Sequence, residues 1–451
     1  HNSDGELLQD DMVFEVGPSP RGAKFSPFGS WLVVGCSGEG EFTATDPEAS
    51  VCCIHTSPYA HDTTGSPVWS DIVAYDIDLS NGTPSVTGTA RDQADSYGLG
   101  PTTLLQRLEP SHVAVTPDES RAYINCQVNN ALLEIDLDQL EANLASGGAA
   151  AVSDNVFKGI YGFGTRNMGS TGGFDGKNDG AANVETPTSS ILGWYQPGDI
   201  EIVQKGDDFL LLTANEGRPS VNSMGIPDAT TQVADLAYPD LLVDADYTAG
   251  SDLFVFGSRS FSVWNVSTAA SAPTLEYDSG SLIEENVATL MPDYANSREV
   301  SFNSGDSASV AQGPKPAGIA YGTLFGKSVV LLTLEEMGGT MLFNLNGAPG
   351  SGMTSTYQAY ATNRQFQNTA VTTCDNHLGA EDVLFLPSSV TVDEGYDAVL
   401  VSNDASGSLT LFELSGSNIL DIPGCTDSCA CNYNANATLD DGSCDVTTCA
   451  G

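Results

Sequence analysis

Short apolar runs separated by turn residues dominate the hydrophobic and polar pattern of this chain. Glycine, proline, asparagine and aspartate stand between the runs, a spacing that is typical of β-strands. Helical periodicity is confined to Asp136–Gly147 and to about one turn within Ser281–Met291. The pattern therefore predicts an all-β fold, either a sandwich, a barrel or a propeller. The runs read SWLVVGC, DIVAYDIDL, HVAVTP, RAYINC, NALLEIDL, DFLLLTA, LFVFGS, SFSVWNV, SVVLLTL, TMLFNL, DAVLVSN and SLTLFEL.

An internal repeat favours the propeller among these folds. Its pattern is a Pro-x-x-apolar start, a turn, an apolar strand that closes near Asn or Cys, and then an outer strand. Copies begin at Ser19, Glu109, Gln196, Pro314 and Ala380. Each copy predicts a three- or four-stranded sheet, and five copies predict blades around an axis. The first strand of each blade is expected to lie nearest the central channel.

Charge narrows the possible partners. The chain has 451 residues, with 15 Lys+Arg against 59 Asp+Glu and a formal net charge of −44. Nucleic acid and anionic membranes need a basic surface, so both are excluded as natural partners, and cations are the expected counter-charge. Hydrophobic residues make up 40% of the chain, which argues against a disordered acidic tail. No apolar run is long enough to span a bilayer, so no transmembrane segment is expected.

Cysteines divide the chain into two predicted domains, a propeller over 1–420 and a cysteine-rich tail over 421–451. Such cysteine usage is typical of an oxidising, extracellular compartment, so disulfides are expected at all ten positions. Five cysteines lie in each part, and an odd number in each implies a bridge between tail and body, an intermolecular bond or a free thiol. Zinc binding by Cys52, Cys53, His55 and His61 is the alternative at one site. The ten are Cys36, Cys52, Cys53, Cys126, Cys374, Cys425, Cys429, Cys431, Cys444 and Cys449.

The tail also carries oxygen ligands at alternate positions. A segment of about 30 residues cannot build a hydrophobic core, so it needs disulfides, a metal or both. Side-chain oxygens at every second residue can surround a cation of the size of Ca²⁺. Calcium is therefore a possible cofactor here, and a module held by disulfides and turns alone is the alternative. The candidate ligands are Asp427, Asn432, Asn434, Asp440 and Asp441.

Two further kinds of motif are weaker. Sequons at Asn81, Asn265 and Asn436 predict N-linked glycans in turns or at strand ends. The segment FDGKNDGAANVE offers Asp175 and Asp179 to a calcium loop, but Lys177 occupies the position of the middle ligand. A plain surface loop is favoured there.

Several segments resemble the choice-of-anchor I family of secreted, surface-anchored, phytase-like β-propellers, which includes mesenchyme-specific cell-surface glycoproteins. They are PSHVAVTPDESRAYINCQVNNALLEIDL, GWYQPGDIEIV, LLTANEG, FGSRSFSVW, GPKPAGIAYG, LEEMGGTMLFNL and LVSNDASGSLTLFEL. The tail is similar to a repeat, GCTD-x-x-A-C-N-Y-N…DDGSC, of other secreted surface proteins. The resemblance implies a ring of about seven blades, of which this chain covers about five or six. Upstream blades are then expected to be missing.

The same resemblance implies acids at the channel. The position after each blade-opening proline, often acidic in the family, reads Arg21, Ser111, Gly198, Ala317 and Glu381. A second acidic set, where strands close, is kept as Glu216, Glu335 and Asp404, and is lost at Ser37 and Val128. Solvated acids at a channel mouth and a residual cation site formed by Glu216, Glu335, Glu381 and Asp404 are both compatible with this pattern. Catalysis is not expected, because most of the opening set is gone.

The sequence thus predicts a non-catalytic structural or adhesive glycoprotein of a cell surface, matrix or filament. Self-association through propeller edges and the tail, or a companion chain that completes the propeller, would cover the open sheet edge. One alternative is a calcium-dependent, phytase-like phosphohydrolase, which the resemblance implies. The other is a ligand- or carbohydrate-binding propeller.

Overall fold

The structure is a computed structural model of the chain. It describes residues 14–38, 47–56, 73–80, 86–91, 103–146, 152–219, 229–231, 237–244, 247, 252–366, 377–391, 396–414, 423–424, 430, 439–440 and 444. The chain forms two compact units, one of residues 1–87 and 91–162 and one of residues 88–90 and 163–451. The expected boundary at 420/421 falls outside the described residues and stays a prediction.

The first unit consists of two sheets, of strand order β1-β2-β3-β4 and β5-β9-β8-β7-β6, in which only the β5–β9 pair is parallel. Helix α2 begins where the side chain of Asp136 accepts a hydrogen bond of 2.8 Å from the Gln139 N–H. The elements are β1 (Pro20–Phe25), β2 (Trp31–Cys36), β3 (Ser50–His55), β4 (Val73–Ile77), β5 (Val86–Thr87), α1 (Leu104–Arg107), β6 (Val113–Val115), β7 (Arg121–Cys126), β8 (Ala131–Asp136), α2 (Leu137–Ala145) and β9 (Phe157–Gly162).

The second unit contains three larger antiparallel sheets, of order β12-β13-β17-β18, β19-β20-β21-β22 and β23-β24-β25. A three-stranded sheet β10-β11-β16 and the pairs β14-β15 and β26-β27 complete it. The elements are β10 (Thr165–Asn167), β11 (Ser190–Trp194), β12 (Ile200–Lys205), β13 (Asp208–Ala214), β14 (Ala229–Thr231), β15 (Leu242–Asp244), β16 (Asp252–Val255), β17 (Phe261–Asn265), β18 (Thr274–Asp278), α3 (Leu282–Leu290), β19 (Pro316–Leu324), β20 (Lys327–Leu334), β21 (Thr340–Asn346), β22 (Thr354–Ala361), β23 (Ala380–Leu386), β24 (Asp397–Asn403), β25 (Ser408–Leu414), β26 (Pro423–Gly424) and β27 (Leu439–Asp440).

The all-β prediction is confirmed, and the repeat corresponds to the sheets. Each of the five copies opens a separate sheet with an antiparallel pair of strands, beginning at β1, β6, β12, β19 and β23. Strands that follow one another in both sequence and space are the blade unit of a β-propeller. Both predicted helical stretches are helices, α2 and α3. The number of blades in a ring stays a prediction.

Packing between sheets explains why the middle strands read as continuous apolar runs. In the second unit one core joins the sheet that begins at β12 to the sheet that begins at β19. Phe261 of β17 and Phe343 of β21 contact each other there, with ring centroids 5.1 Å apart. A middle strand is covered on both faces, so the residues that point to either face are apolar. Paired residues of β11 and its parallel partner β16 are 62 positions apart, which leaves no local signal, and that sheet was not predicted.

The cysteines require a correction. Cys36, Cys52, Cys53 and Cys126 are buried free thiols, so the predicted disulfides at these four positions are wrong in the structure. The pairing of the strands gives the reason, because none of the four cysteines lies directly opposite another on a neighbouring strand. Burial raises the pKa of Cys52 to about 11, so this thiol is protonated and unreactive.

The remaining cysteines lie largely outside the described residues. This applies to Cys374, Cys425, Cys429, Cys431 and Cys449, and also to His61 of the zinc alternative. Cys444 is disulfide-bonded, and its partner is outside the described part of the chain. The connectivity of the tail therefore stays a prediction.

Strands β19 and β23 approach each other closely at Gly318. A Cβ on this glycine would lie 2.4 Å from the carbonyl oxygen of Glu381 and 2.9 Å from the Cα of Asp382. Both are backbone atoms, which cannot move aside as a flexible side chain can. The position requires glycine because of this contact between two blade-opening strands.

We expect Gly318→Ala to destabilise the protein by about 1–3 kcal/mol, because the added methyl group would force the two strands apart. Urea unfolding followed by circular dichroism measures the change. Thr323→Ala, an exposed change on the same strand, should stay within about 0.5 kcal/mol of the native protein. Equal midpoints for Gly318→Ala and the native protein would contradict the close approach.

Candidate functional site

Three of the four predicted channel acids lie together in the second unit. Glu216 follows β13, Glu335 follows β20 and Glu381 is the second residue of β23, so each comes from a different sheet. Glu216 and Glu335 are buried, with 7% and 9% of their surface exposed. Two strand-closing acids and one blade-opening acid therefore lie within electrostatic reach of one another.

The side chain between these acids is Lys315, which immediately precedes β19. Its Nζ lies 3.3 Å from Glu216 Oε1 and is ion-paired with Glu335. The Lys315 side chain is 17% exposed. An ammonium group therefore occupies the position that the sequence analysis considered for a bound cation. We refer to Lys315, Glu216, Glu335 and Glu381 as the lysine–carboxylate cluster.

The backbone around the cluster explains how the lysine reaches it. Lys315 has a φ of 57°, in the left-handed region that few residues other than glycine adopt. Its carbonyl accepts a hydrogen bond of 2.9 Å from the Glu335 N–H. A Cβ on Gly198 would lie 2.2 Å from Glu216 Oε2, so the glycine leaves the space that the carboxylate fills. Glycine in place of the family acid at position 198 is therefore what allows Glu216 to be buried there.

Aspartate at position 199 links two blade-opening strands. Its Oδ2 accepts a hydrogen bond of 3.0 Å from the Ile319 N–H of β19, and its Oδ1 accepts one of 2.7 Å from the Ile200 N–H of β12. Both carboxylate oxygens are thereby engaged with backbone. Asp199 acts as a structural bridge between the two sheets.

Burial and repulsion determine the ionisation of the cluster. Burial raises the pKa of Glu335 to about 8, although Lys315 opposes this, and burial together with Glu216 raises the pKa of Glu381 to about 7. Burial disfavours the charged form of Lys315 too, but Glu216 and Glu335 outweigh it and raise the pKa of that lysine. Three carboxylates around one ammonium cannot all ionise cheaply, so near neutral pH the cluster holds an extra proton.

Asp404, the fourth predicted acid, lies at the edge of this group. It is exposed. The pKa of Glu299 is raised mainly by the burial of Glu299 itself, and the charge of Asp404 adds to that rise. The N–H of Asp404 donates a hydrogen bond of 2.8 Å to the carbonyl of Gly379. Asp404 therefore belongs to the solvated rim rather than to the lysine–carboxylate cluster.

The chemistry of the cluster favours an internal ion-pair network over a metal centre. A divalent cation would need several free carboxylate oxygens, and Lys315 is already paired with two of the acids. Lys315 was missed by the sequence analysis. The available signal was its place in GPKPAGIAYG, where a basic residue precedes a blade-opening proline in a chain with only 15 Lys+Arg.

The other predicted site residues are mostly beyond the described residues. Asp427, Asn432, Asn434 and Asp441 lie outside them, and Asp440 is described only as part of strand β27. Calcium in the tail stays a prediction. Of the sequons, Asn81 and Asn436 are also outside the described part of the chain.

The remaining sequon, Asn265, ends strand β17 and is half-buried. Its Nδ2 donates a hydrogen bond of 3.1 Å to Asp208 Oδ1, and its Oδ1 accepts one of 2.9 Å from the Ser267 N–H. A glycan on Nδ2 would have to displace the contact with Asp208. Glycosylation at this position stays a prediction.

The sequence of the chain matches the choice-of-anchor I domain family over residues 1–240 and 228–348. The matched residues are well over half of the chain, and the protein belongs to this family. The resemblance inferred from the blade segments is thereby confirmed.

Among curated proteins the chain is similar to the mesenchyme-specific cell surface glycoprotein of Strongylocentrotus purpuratus, with 25% identity over 185 residues. The match covers 39% of this chain and 24% of that protein, so the chain spans about a quarter of the length of this relative. An anchor-domain family and a cell-surface relative together indicate an extracellular, surface-associated protein, as predicted. Among the described residues, no helix has the length and apolar character needed to cross a bilayer.

Comparison with solved structures finds partial likenesses at low sequence identity. A protein from Lactobacillus plantarum has a TM-score of 0.36 at 12% identity, covering 90% of this chain and 73% of its own. The Cps50 (Swd1) β-propeller domain from Myceliophteria thermophila has a TM-score of 0.33 at 8% identity, covering 88% and 84%.

The ionisation of the cluster predicts a pH dependence of stability. Glu335 and Glu381 have pKa values in the folded protein above their ordinary value of 4.5, so folded protein binds more protons than unfolded protein. Their contribution is complete below pH 4.5 and is lost as the pH rises through 7 to 8. We expect Glu381→Gln to reduce the loss of stability between pH 5 and pH 9 by on the order of 1–3 kcal/mol.

Thermal unfolding measured at several pH values tests this expectation. Glu413→Gln, the same change at an exposed position of β25, is the matched control and should keep the steeper native profile. Identical profiles for Glu381→Gln and the native protein would show that Glu381 ionises normally.

Removing the ammonium should be more damaging than removing an acid. We expect Lys315→Met to lower the free energy of unfolding by about 3–5 kcal/mol near neutral pH, since buried carboxylates would lose their counter-charge. The loss should shrink at pH 5, where Glu335 and Glu381 are protonated. Lys327→Met, at the exposed first position of β20, is the control for charge alone. Equal unfolding midpoints for the two variants would refute the central role of Lys315.

Proposed function

We propose that the protein is a non-catalytic structural or adhesive component of an extracellular surface or matrix, and that its copies associate through the apolar outer face of the sheet β23-β24-β25. The single observation that carries the proposal is the exposure of leucines on this face. The extracellular, surface-associated location is indicated by the family, and the assembly is the proposed part.

Leucine side chains from all three strands share the exposed face. Leu384 of β23 lies opposite Leu400 of β24, which in turn lies opposite Leu411 of β25. Leu409, two residues before Leu411, points to the same side of the strand. Leu384, Leu409 and Leu411 are 53%, 66% and 56% exposed. We call these four residues the leucine face.

The opposite face of the same sheet is an ordinary core. Val399 and Val401 of β24 are buried there, and Phe412 of β25 packs against the same core. One side of the sheet is thus covered by the sheet that begins at β19, while the leucine face is open. Side chains of this kind exposed together are typical of a protein contact surface.

The edge of the sheet supports the same conclusion. The two preceding blade-like sheets have four strands, and this one has three. No strand within the described ranges pairs with the outer side of β25. Free N–H and C=O groups beside exposed leucines favour the addition of a strand from another chain.

A second copy of the chain is the partner to which the proposal commits. With a net charge of −44, copies repel each other over long range, so association should need salt or divalent cations to screen the charge. A contact between different surfaces of identical subunits propagates into a filament unless the rotation closes a ring.

The non-catalytic part of the proposal is supported by the lysine–carboxylate cluster. A phosphohydrolase that uses channel acids would need them free to bind a cation or move a proton. Lys315 pairs with Glu216 and Glu335 instead. These acids are better suited to joining sheets than to chemistry.

The assembly proposal predicts that Leu411→Glu abolishes self-association. Light scattering after size-exclusion chromatography, at several protein concentrations and with millimolar calcium or raised salt, measures the mass of the particles. The added charge would have to be buried unpaired in the contact, so the variant should remain monomeric. Val390→Glu places the same charge on another exposed apolar residue, 57% exposed in the β23–β24 connection, and should assemble normally.

Two results would contradict the proposal. The native protein could stay monomeric under all these conditions, or Leu411→Glu could assemble as well as Val390→Glu does. In the second case the leucine face is not the contact.

A further inference from the structure

A second polar cluster lies inside the second unit, apart from the lysine–carboxylate cluster. It joins the loop after β10 to helix α3 and to the segment that follows α3. Its members are at most 3% exposed, which is unusual for carboxylates. They are Asp175, Glu284, Asn296, Asp306 and Ser309.

The polar atoms of this cluster converge closely. The side-chain nitrogen of Asn296 lies 3.4 Å from Asp175 Oδ2, 3.5 Å from Glu284 Oε1 and 2.9 Å from Ser309 Oγ. Ser309 Oγ in turn lies 2.8 Å from Asp175 Oδ2 and 2.7 Å from Asp306 Oδ1. Spacings of about 3 Å are those of neighbouring oxygens around a cation with bonds of about 2.4 Å.

Hydrogen atoms are too few for these contacts. The Ser309 hydroxyl has one hydrogen and the Asn296 amide has two, but together they face five polar contacts. Carboxylates supply acceptors only. A cation at the centre would interact with the acceptor oxygens for which no hydrogen is available.

Two buried oxygens of the cluster have no hydrogen-bond partner. They are Glu284 Oε2 and Asn296 Oδ1, on residues 2% and 1% exposed. Leaving a buried acceptor unsatisfied costs about 1–3 kcal/mol, and more when it is charged. The amide of Asn296 already points into the cluster, and its two ends are interchanged by a half-turn about the last side-chain bond. Such a turn would direct Oδ1 at the same centre.

The charges in the cluster do not balance. Three carboxylates are present, and the guanidinium of Arg259 pairs with Glu284, its Nη1 lying 2.9 Å from Oε1. Asp306 Oδ2 is engaged separately by the N–H groups of Gly180 and Ala181. The excess charge is the one that a divalent cation would neutralise.

We propose that Asp175, Glu284, Asn296, Asp306 and Ser309 form a calcium site that fastens the loop after β10 to helix α3 and the segment behind it. Every candidate ligand atom is an oxygen, which favours a hard cation over zinc. The spread of the spacings, from 2.7 to 3.5 Å, suits the flexible geometry of Ca²⁺ better than the strict octahedron of Mg²⁺.

The site differs from the calcium loop that the sequence suggested. Asp175 is part of both, but Asp179 is exposed and Lys177 is ion-paired with Glu185. The other ligands come from residues more than 100 positions later in the chain. The site is also independent of the proposed assembly, because it needs no contact between copies.

Calcium titration of the full chain tests the site. After chelator treatment, isothermal calorimetry counts the calcium ions bound by the native protein, by Asp175→Asn and by Asp179→Asn. We expect Asp175→Asn to bind one ion fewer, because a neutral amide replaces a carboxylate in the site. Asp179→Asn makes the same change at an exposed residue of the same loop and should match the native count. Equal counts for all three proteins would overturn the proposal.

Hydrogen exchange on the native protein gives a second test that needs no variant. Calcium should slow exchange in residues 174–181, 282–290 and 296–309, and magnesium should do so much less. Slower exchange confined to the tail would place the calcium elsewhere and refute the site. A high-resolution structure grown with calcium that held only a water at this position would refute it too.

Discussion

One half-buried ammonium, that of Lys315, holds together acids from three sheets that would otherwise repel one another. Glu216, Glu335 and Glu381 end or begin strands of different blades, and without the lysine their burial would be strongly unfavourable. The arrangement requires a left-handed backbone at Lys315 and, beside Glu216, the absence of a side chain at Gly198. The local backbone and the positions of the three acids at this junction thus depend on the position of one ammonium group.

The sequence predicted what depends on local pattern and repetition. Apolar runs such as DFLLLTA and SVVLLTL are β13 and β20, and the five repeat copies each open a sheet. Helix α2 was predictable from its periodicity and from the glycine after it. Regular strands joined by short turns leave this kind of signal, because each run must match the face or faces it buries.

Interactions between distant residues were harder to predict. Lys315 meets Glu216 across about a hundred residues, and Asp175 meets Glu284 over a similar separation, so neither pairing leaves a motif. The family pattern identified the acids but not the base between them. The disulfide prediction for the buried cysteines failed for a related reason. Composition indicates the redox compartment, but only strand register decides whether Cys36 and Cys52 can bond, and their register places other residues opposite them.

The placement of basic residues connects the interior to the proposed assembly. The chain has 15 Lys+Arg, and among the described residues five arginines are buried: Arg91, Arg121, Arg166, Arg259 and Arg364. Several of these hold loops by donating to backbone carbonyls, as Arg166 does to Ser258 at 2.6 Å. Among the described residues eight acids are buried as well, so the buried arginines are balanced inside and the surface stays strongly acidic. Two such surfaces can approach only where charge is sparse and apolar area is exposed, or where cations screen the repulsion. The leucine face supplies exposed apolar area, with the exposed Glu413 on the same side of β25, and an extracellular medium containing salt and calcium screens the charge.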